Sequence, residues 1–162
     1  MRMKKKIEVD FFSETKKWPR RLPKIKKITF NTLTKMSSYF KKNYFFSLNL
    51  VLSDKIKIKK LNKKFRNKYQ DTDVLTFVSK NSNKELGKIL YCDIFFSIDT
   101  IENFIKKNNL TLYDHFNHLL IHSILHINGY DHKDLKQFNK MKKEEINILK
   151  KLKIKNPYIN YE

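Results

Sequence analysis

The sequence has no alanine, two glycines, one cysteine and four arginines among its 162 residues. A single cysteine, Cys92, cannot form a disulfide within the chain, which is typical of a reducing compartment. No apolar run approaches the ~20 residues that cross a bilayer. The basic start, MRMKKK, is not followed by the apolar stretch of a signal peptide. We therefore expect a cytoplasmic protein without a membrane segment.

The formal net charge is +20, from 36 lysines and arginines against 16 acidic residues. A charge of this size favours a polyanionic partner such as RNA. The sequence is also rich in Lys, Asn, Ile and Phe, as expected of an AT-rich genome, whose mutational bias alone raises the lysine content. The charge therefore leaves both explanations open. The same bias disfavours glycine and arginine and does not favour histidine, so the positions of these residues carry more information.

The hydrophobic pattern predicts one domain over residues 1–162, of the α/β (α+β) class. With 40% hydrophobic residues, the chain is long enough to form a buried core. Alternating or apolar segments predict about four strands, at residues 6–11, 46–52, 74–78 and 89–96. About five helices are expected to pack on this mixed sheet, beginning at Pro23, at Ser53 or Asp54, at Asp99 (with Glu102 in a capping box), at Thr111, and after Gly129.

The remaining segments give more local expectations. Residues 18–23 predict a basic loop and residues 79–87 a polar loop between two strands. Phe65 is expected on the apolar face of the short helix after Asp54. The last helix should direct its apolar residues inward, namely Leu135, Phe138, Met141, Ile148, Leu149 and Leu152.

Three of the five histidines lie in the segment HSILHINGYDH, residues 122–132. His122 and His126 are four residues apart on a buried central helix, so both imidazoles can contact one metal ion. His118 is about 12 Å from His126 along the helix, at ~1.5 Å per residue, which is too far for a shared ion. Gly129 allows a sharp turn after the helix, which can bring His132 back as a third ligand. Three ligands with an open fourth position predict a catalytic zinc site at the end of this helix.

The alternative is a set of structural histidines, each hydrogen-bonded within a buried helix. The spacing of three histidines around a glycine favours the metal site. His115 and His118 do not fit that spacing, so we expect His115 at the surface and His118 in the core or behind the ligands.

Metzincin proteases use the same spacing of histidines and glycine, with a glutamate after the first histidine as general base. Here that position is Ser123, which cannot accept a proton from a metal-bound water near neutral pH. The nearest acidic residue is Asp131. A metalloprotease is therefore a distant alternative, and the metal itself must activate its water.

The segment HSILHINGYDH resembles the signature of the YbeY family of bacterial endoribonucleases. Residues 61–66 (LNKKFR), 72–77 (TDVLTF) and 92–94 (CDI) resemble three further blocks of that family, and the resemblance covers roughly residues 5 to 150. Ser123 and Cys92 stand where the family has glycine. Both side chains are small, so we expect them to fill the space that glycine leaves, without loss of the chemistry. We expect Cys92 to lie in the core.

The resemblance implies one Zn²⁺ per chain on His122, His126 and His132, with these histidines and Arg66 as the catalytic residues. It implies a zinc-dependent, single-strand-specific endoribonuclease that acts on the 3′ end of 16S ribosomal RNA and in ribosome quality control. The expected partners are ribosomal RNA and ribosomal particles in the cytoplasm, without DNA or membrane. From the residues alone, Arg66 is a scarce arginine that can clamp a phosphate through two hydrogen bonds.

Two functional hypotheses remain. In the first, lysines bind RNA phosphates, Arg66 holds the scissile phosphate and the metal activates the attacking group. In the second, the protein is a non-catalytic ribosome-assembly factor, in which zinc stabilises the last loop and the charge binds RNA. The sequence leaves open whether Asp73 and Asp93 close turns or pair with Arg66.

Overall fold

The computed structural model describes residues 2–3 and 6–159. Within them, the strands are β1 (Arg2–Met3), β2 (Ile7–Ser13), β3 (Tyr44–Ser53), β4 (Val74–Asn83) and β5 (Gly87–Ser97). The α-helices are α1 (Lys17–Arg21), α2 (Ile25–Lys35), α3 (Lys55–Arg66), α4 (Ile98–Asn108), α5 (Leu112–Ile127) and α6 (Leu135–Lys151). A short 3₁₀ helix spans Ser37–Tyr39.

The five strands form one mixed sheet in the order β1-β2-β3-β5-β4. Strands β2, β3 and β5 run parallel, while β1 and β4 pair antiparallel at the two edges. The four longer strands are those that the alternation of the sequence predicts, and β1 is a two-residue addition. The predicted mixed α/β sheet is therefore confirmed.

Helix α5 is the central helix of the core. Thr111 caps its N-terminus by accepting a hydrogen bond from the Asp114 amide, as the sequence predicts. Its residues Leu120, Ile121, Ile124 and Leu125 are fully buried, and it contacts α2, α4, α6 and β4. A helix that is apolar on nearly all sides requires such complete coverage. No helix in the described ranges combines the length and hydropathy required to cross a bilayer.

The segment predicted as a basic loop contains instead a short helix, α1, with a buried tryptophan. Trp18 is fully buried, its indole N–H donates to the Ser53 carbonyl at 3.0 Å, and its ring packs edge-on against Phe96 and Phe116. The loop prediction was wrong because it followed the basic residues around Trp18. It gave too little weight to the one large apolar side chain, which anchors α1 to the core.

The structure corrects three other local predictions. The polar segment after residue 78 continues strand β4 to Asn83, so the hairpin turn is only three residues long. Helix α4 is capped by Ser97, while Asp99 forms an ion pair with Lys17 and accepts from the Lys55 amide. The first turn of α6 faces solvent, with Leu135 74% exposed. For Asp99, contacts with residues distant in the chain replace the local capping pattern.

Candidate metal centre

The three histidines at 122, 126 and 132 converge at the C-terminal end of α5. One ligand nitrogen from each lies within 4.8 Å of the others, so the three could hold a metal ion. The Nε2 atoms of His122 and His126 are 3.0 Å apart. Two nitrogens bound to a tetrahedral zinc at ~2.0–2.1 Å lie about 3.4 Å from one another. The geometry of the pair therefore fits a shared ion.

Hydrogen bonds behind the cluster fix the tautomers of two of these rings. The Nδ1–H of His122 donates to Oε1 of Glu145 at 2.6 Å, and the Nδ1–H of His126 donates to the Tyr130 carbonyl at 2.9 Å. With both Nδ1 atoms acting as donors, the two Nε2 atoms present lone pairs to each other, an arrangement that a cation between them stabilises. Burial lowers the pKa of His126, and repulsion between its protonated form and the rings of His122 and His132 lowers it further, which favours the neutral imidazole that ligation requires.

Glu145, on α6, is a buried carboxylate behind the metal-facing histidines. Its oxygens accept hydrogen bonds from His122, from Nε2–H of His118 at 2.9 Å and from the Tyr158 hydroxyl. Burial alone would raise the pKa of Glu145, but the hydrogen bonds and charges of His118 and His122 outweigh it and lower the pKa to about 2. A carboxylate held ionised behind a histidine orients the ring and raises its basicity as a ligand.

The turn after α5 is a Schellman motif that brings His132 back to the helix end. The Tyr130 amide donates to the Leu125 carbonyl and the Gly129 amide to the His126 carbonyl, both at 3.0 Å. This motif places Gly129 at φ +97°, which side chains with a Cβ rarely adopt. The His132 ring then lies with its centroid 4.9 Å from that of His126. The sequence predicted this use of the glycine.

The cluster opens into a cavity of about 840 Å³ that Arg66 also lines. Arg66 ends α3, and Asn67 follows it in the left-handed conformation that terminates the helix. The guanidinium carbon lies 5.9 Å from the centre of the Phe77 ring, and no ion pair within the described ranges involves Arg66. Its charge therefore remains available to a ligand in the same cavity as the histidines.

His115 is buried, which corrects the expectation that it lies at the surface. Its ring stacks on Phe104 at 4.4 Å between centroids, and Nε2 lies 3.1 Å from Oδ2 of Asp73. Burial raises the pKa of Asp73, but the hydrogen bond and charge of His115, together with the smaller backbone and Thr72 hydrogen bonds, outweigh it, and the net shift is downward. Asp93 accepts from the Asn49 side chain at 2.8 Å. Neither aspartate forms an ion pair with Arg66 in the part of the chain that the structure describes.

The two positions that depart from the resemblance are both in the core. Ser123 is fully buried, does not line the cavity, and its hydroxyl has no hydrogen-bond partner among the described residues. Cys92 is also fully buried, and burial raises the pKa of its thiol to about 12. Neither side chain is placed to act on a ligand of the histidine cluster.

Glu145 and Tyr158 are residues of the site that the sequence reasoning missed. Glu145 lies in a lysine-rich helix as one of two adjacent glutamates, and Tyr158 lies 13 residues further on, so no motif links either to the histidines. One signal was available: position 145 falls between Met141 and Ile148 on the apolar face of α6. An acidic residue on a buried face requires a partner.

Comparisons with known proteins show which family the chain is similar to. The family model described as Endoribonuclease YbeY matches residues 10–153. A relative from Francisella tularensis subsp. novicida, named Endoribonuclease YbeY, is 36% identical over 119 residues, covering 72% of each chain. One of the same name from Ehrlichia chaffeensis is 36% identical over 141 residues, covering 85% of this chain and 86% of the relative. A solution structure of a Thermotoga maritima protein aligns with a TM-score of 0.55 and 26% identity, covering 90% of this chain and 92% of the other.

Proposed function

Because the chain belongs to the YbeY family of endoribonucleases, we propose that it is a zinc-dependent enzyme that cuts single-stranded RNA. Its proposed role is maturation of the 3′ end of 16S ribosomal RNA and ribosome quality control in the cytoplasm, with ribosomal RNA and ribosomal particles as partners. The proposal assigns this activity to a single domain over residues 1–162. The single buried cysteine is compatible with a reducing cytoplasm.

The observation that carries the proposal is the pair of Nε2 atoms facing each other at 3.0 Å, with Nδ1 of each ring already engaged. His122, His126 and His132 would hold one Zn²⁺. An ion bound by these three residues would supply a Lewis acid and would lower the pKa of a bound water to about 7. Glu145 and the Tyr130 carbonyl hold two of the rings in the ligating tautomer.

Arg66 has the role of binding the scissile phosphate in this proposal. Its planar guanidinium can donate two parallel hydrogen bonds to phosphate oxygens, which a lysine cannot. It lines the cavity of the histidine cluster, and its charge has no ion-pair partner among the residues that the structure describes. Phosphoryl-oxygen charge that develops during cleavage would then meet a fixed cation.

A metalloprotease has no support in the geometry. A protease of the metzincin type needs a carboxylate next to the first histidine, and that position is the buried Ser123. Glu145 lies behind the rings and accepts three hydrogen bonds, from His118, His122 and Tyr158. It is therefore not free to act as the general base of a protease.

RNA cleavage by the purified protein, with and without a chelator, tests the proposal. The protein should contain about one zinc per chain and cut a single-stranded RNA, and chelation should abolish cleavage. His126→Ala should lose both metal and activity. His115→Ala is the matched control, since its ring faces Asp73 and Phe104. It should keep the metal when circular dichroism shows a folded chain.

Full metal occupancy in His132→Ala would contradict the proposed ligands and reopen His118. Cleavage that persists at full rate after complete metal removal would contradict the zinc mechanism. Metal-free protein that cannot cut RNA, yet still binds ribosomal particles and supports their assembly, would favour the non-catalytic assembly factor.

A further inference from the structure

The C-terminal half of α3 and the adjoining part of β4 carry aromatic rings that the core leaves exposed. Phe65 is 58% exposed and Tyr69 67% exposed, although the sequence pattern predicts Phe65 on the buried face of α3. The Phe65 ring contacts Phe77 edge-on at 5.3 Å between centroids. Phe65, Tyr69 and Phe77 are called the α3 aromatic surface below. Phe77 is half-buried, and Tyr69 lies in the segment that follows α3. Apolar surface left exposed in this way is typical of an interaction site.

Cationic side chains surround these rings. Residues 55–70 contain seven lysines and one arginine and no acidic residue. The ammonium groups of Lys59 and Lys63 lie 4.3 and 5.2 Å from the centre of the Tyr69 ring, and that of Lys64 lies 5.1 Å from Phe65. Each ring therefore has a positive charge within reach of a phosphate that flanks a molecule stacked on it.

The α3 aromatic surface is continuous with the cavity of the histidine cluster. Arg66 lines that cavity and also lies over the Phe77 ring. Val78 lines both the cavity and a shallow pocket formed by Phe65, Phe77 and Phe95 on the opposite face of the sheet. Strand β4 is an edge strand of the sheet. A chain bound at the histidines can thus pass over β4 and reach the rings.

We propose that the α3 aromatic surface stacks unpaired nucleobases of the RNA strand whose phosphate lies at the histidine cluster. The proposal rests on the endoribonuclease function. It assigns the α3 aromatic surface to the RNA segment that flanks the cleavage site. Aromatic rings stack on every base with little sequence preference, but only on bases that are not paired. The surface therefore supplies a physical reason for selecting single strands.

Charge decides between RNA and a protein as the occupant. A protein segment that covers exposed aromatic rings needs mainly apolar side chains, whereas Lys59, Lys63, Lys64 and Arg66 lie over these rings. One acidic residue, Asp93, lines the pocket at Phe65, so cations outnumber acids around the rings. Bases can stack on the rings while the neighbouring phosphates meet the cations that lie over them. The observed mixture is typical of single-stranded nucleic-acid sites.

Binding of two oligomers of equal length tests the proposal. One is a phosphorothioate, 2′-O-methyl oligoadenylate, and the other has the same backbone with abasic sites. The wild-type protein should bind the oligoadenylate roughly tenfold or more tightly, since each stacked base contributes a factor of this order. Phe65→Leu and Tyr69→Leu keep an apolar side chain but remove the ring, and each should reduce this preference several-fold. Affinity for the abasic oligomer should not change.

Phe30→Leu is the control, because Phe30 is also exposed but lies on α2 and lines neither the cavity nor the pocket at Phe65. It should keep the full preference for bases. Equal affinity of the wild type for both oligomers would overturn the proposal and point to a protein occupant. The same conclusion would follow if a variant with both Phe65→Leu and Tyr69→Leu kept the wild-type preference for the oligoadenylate. Base preference without any RNA cleavage would refute the endoribonuclease function while leaving the stacking surface in place.

Discussion

Arginine and lysine contribute to this molecule in different ways. Most of the cationic residues are lysines spread over the chain, whereas Arg66 is one of four arginines and shares a cavity with the histidine cluster. One lysine among many can be lost with little effect on a diffuse electrostatic attraction. A guanidinium fixed beside a reacting phosphate interacts most strongly when the charge on that phosphate changes.

Arg66→Ala should therefore lower the cleavage rate at saturating RNA by roughly 10²-fold or more, while RNA affinity falls only slightly. Arg66→Lys keeps the charge but loses the planar pair of donors, so it should also lose much of the activity. Cleavage rates, RNA affinities and metal content would be measured at one salt concentration. Zinc content should be unchanged, since Arg66 is not a ligand. A wild-type rate for Arg66→Ala would identify Arg66 as an ordinary surface charge.

At the level of single residues, the sequence predicted the three clustered histidines and the position of His118 behind them better than it predicted His115. His122, His126 and His132 are linked by helix periodicity and one glycine, which are local properties. The burial of His115 depends on Phe104 and on Asp73, which are distant in the chain. The hydrogen bonds of Glu145 likewise depend on how α6 packs on α5. Contacts of this kind are set by tertiary packing, so no local pattern predicts them.

At the scale of elements, the candidate metal centre depends on one helix and the turn that ends it. Helix α5 supplies two histidines from adjacent turns, and the Schellman motif at Gly129 redirects the chain toward the third. An added Cβ at Gly129 would meet no atom closer than the Lys41 ammonium at 3.8 Å, so space permits a side chain. The restriction comes from the backbone, at φ +97°.

Gly129→Ala should thus lower the free energy of unfolding of the metal-free protein by about 1–2 kcal/mol, because the backbone resists a positive φ once a Cβ is present. It should also weaken zinc binding, since relief of the strain moves His132 away from the helix end. Chemical unfolding with chelator present and a competitive zinc titration would measure the two effects.

Gly87→Ala is the matched control, at φ +73° in the β4–β5 hairpin with no atom within 4 Å of the added Cβ. It should lose a similar amount of stability and keep wild-type zinc affinity. If Gly129→Ala binds zinc as tightly as wild type, the turn does not position the third ligand.

The prediction of elements succeeded where one pattern dominated a long segment. The alternation in β3 and the all-round apolar character of α5 predicted both elements closely. Prediction failed where an amphipathic pattern suggested burial that the fold does not provide. Phe65 and Leu135 both occupy apolar helix positions, but more than half of each side chain stays exposed, although the Phe65 ring contacts Phe77 of β4.

At the scale of the whole molecule, the charge of +20 has two explanations that one experiment separates. If the surface binds RNA phosphates, binding releases the counterions that surround the RNA. The affinity for RNA then falls steeply as the salt concentration rises. For about six phosphate contacts, affinity for a single strand should fall ~300-fold between about 50 and 200 mM salt. Fluorescence anisotropy across this range would measure the slope. A flat response would assign the charge to the composition of the genome.

The buried Trp18 gives the molecule an intrinsic fluorescence reporter of its core. It is the single tryptophan in the sequence, it is fully buried against Phe96 and Phe116, and it lines neither the histidine cavity nor the pocket at Phe65. Its emission should be blue-shifted in the native state and move to longer wavelength only when α1 and the core separate. A variant that loses zinc or RNA affinity with an unchanged emission maximum has therefore lost a site and kept its fold.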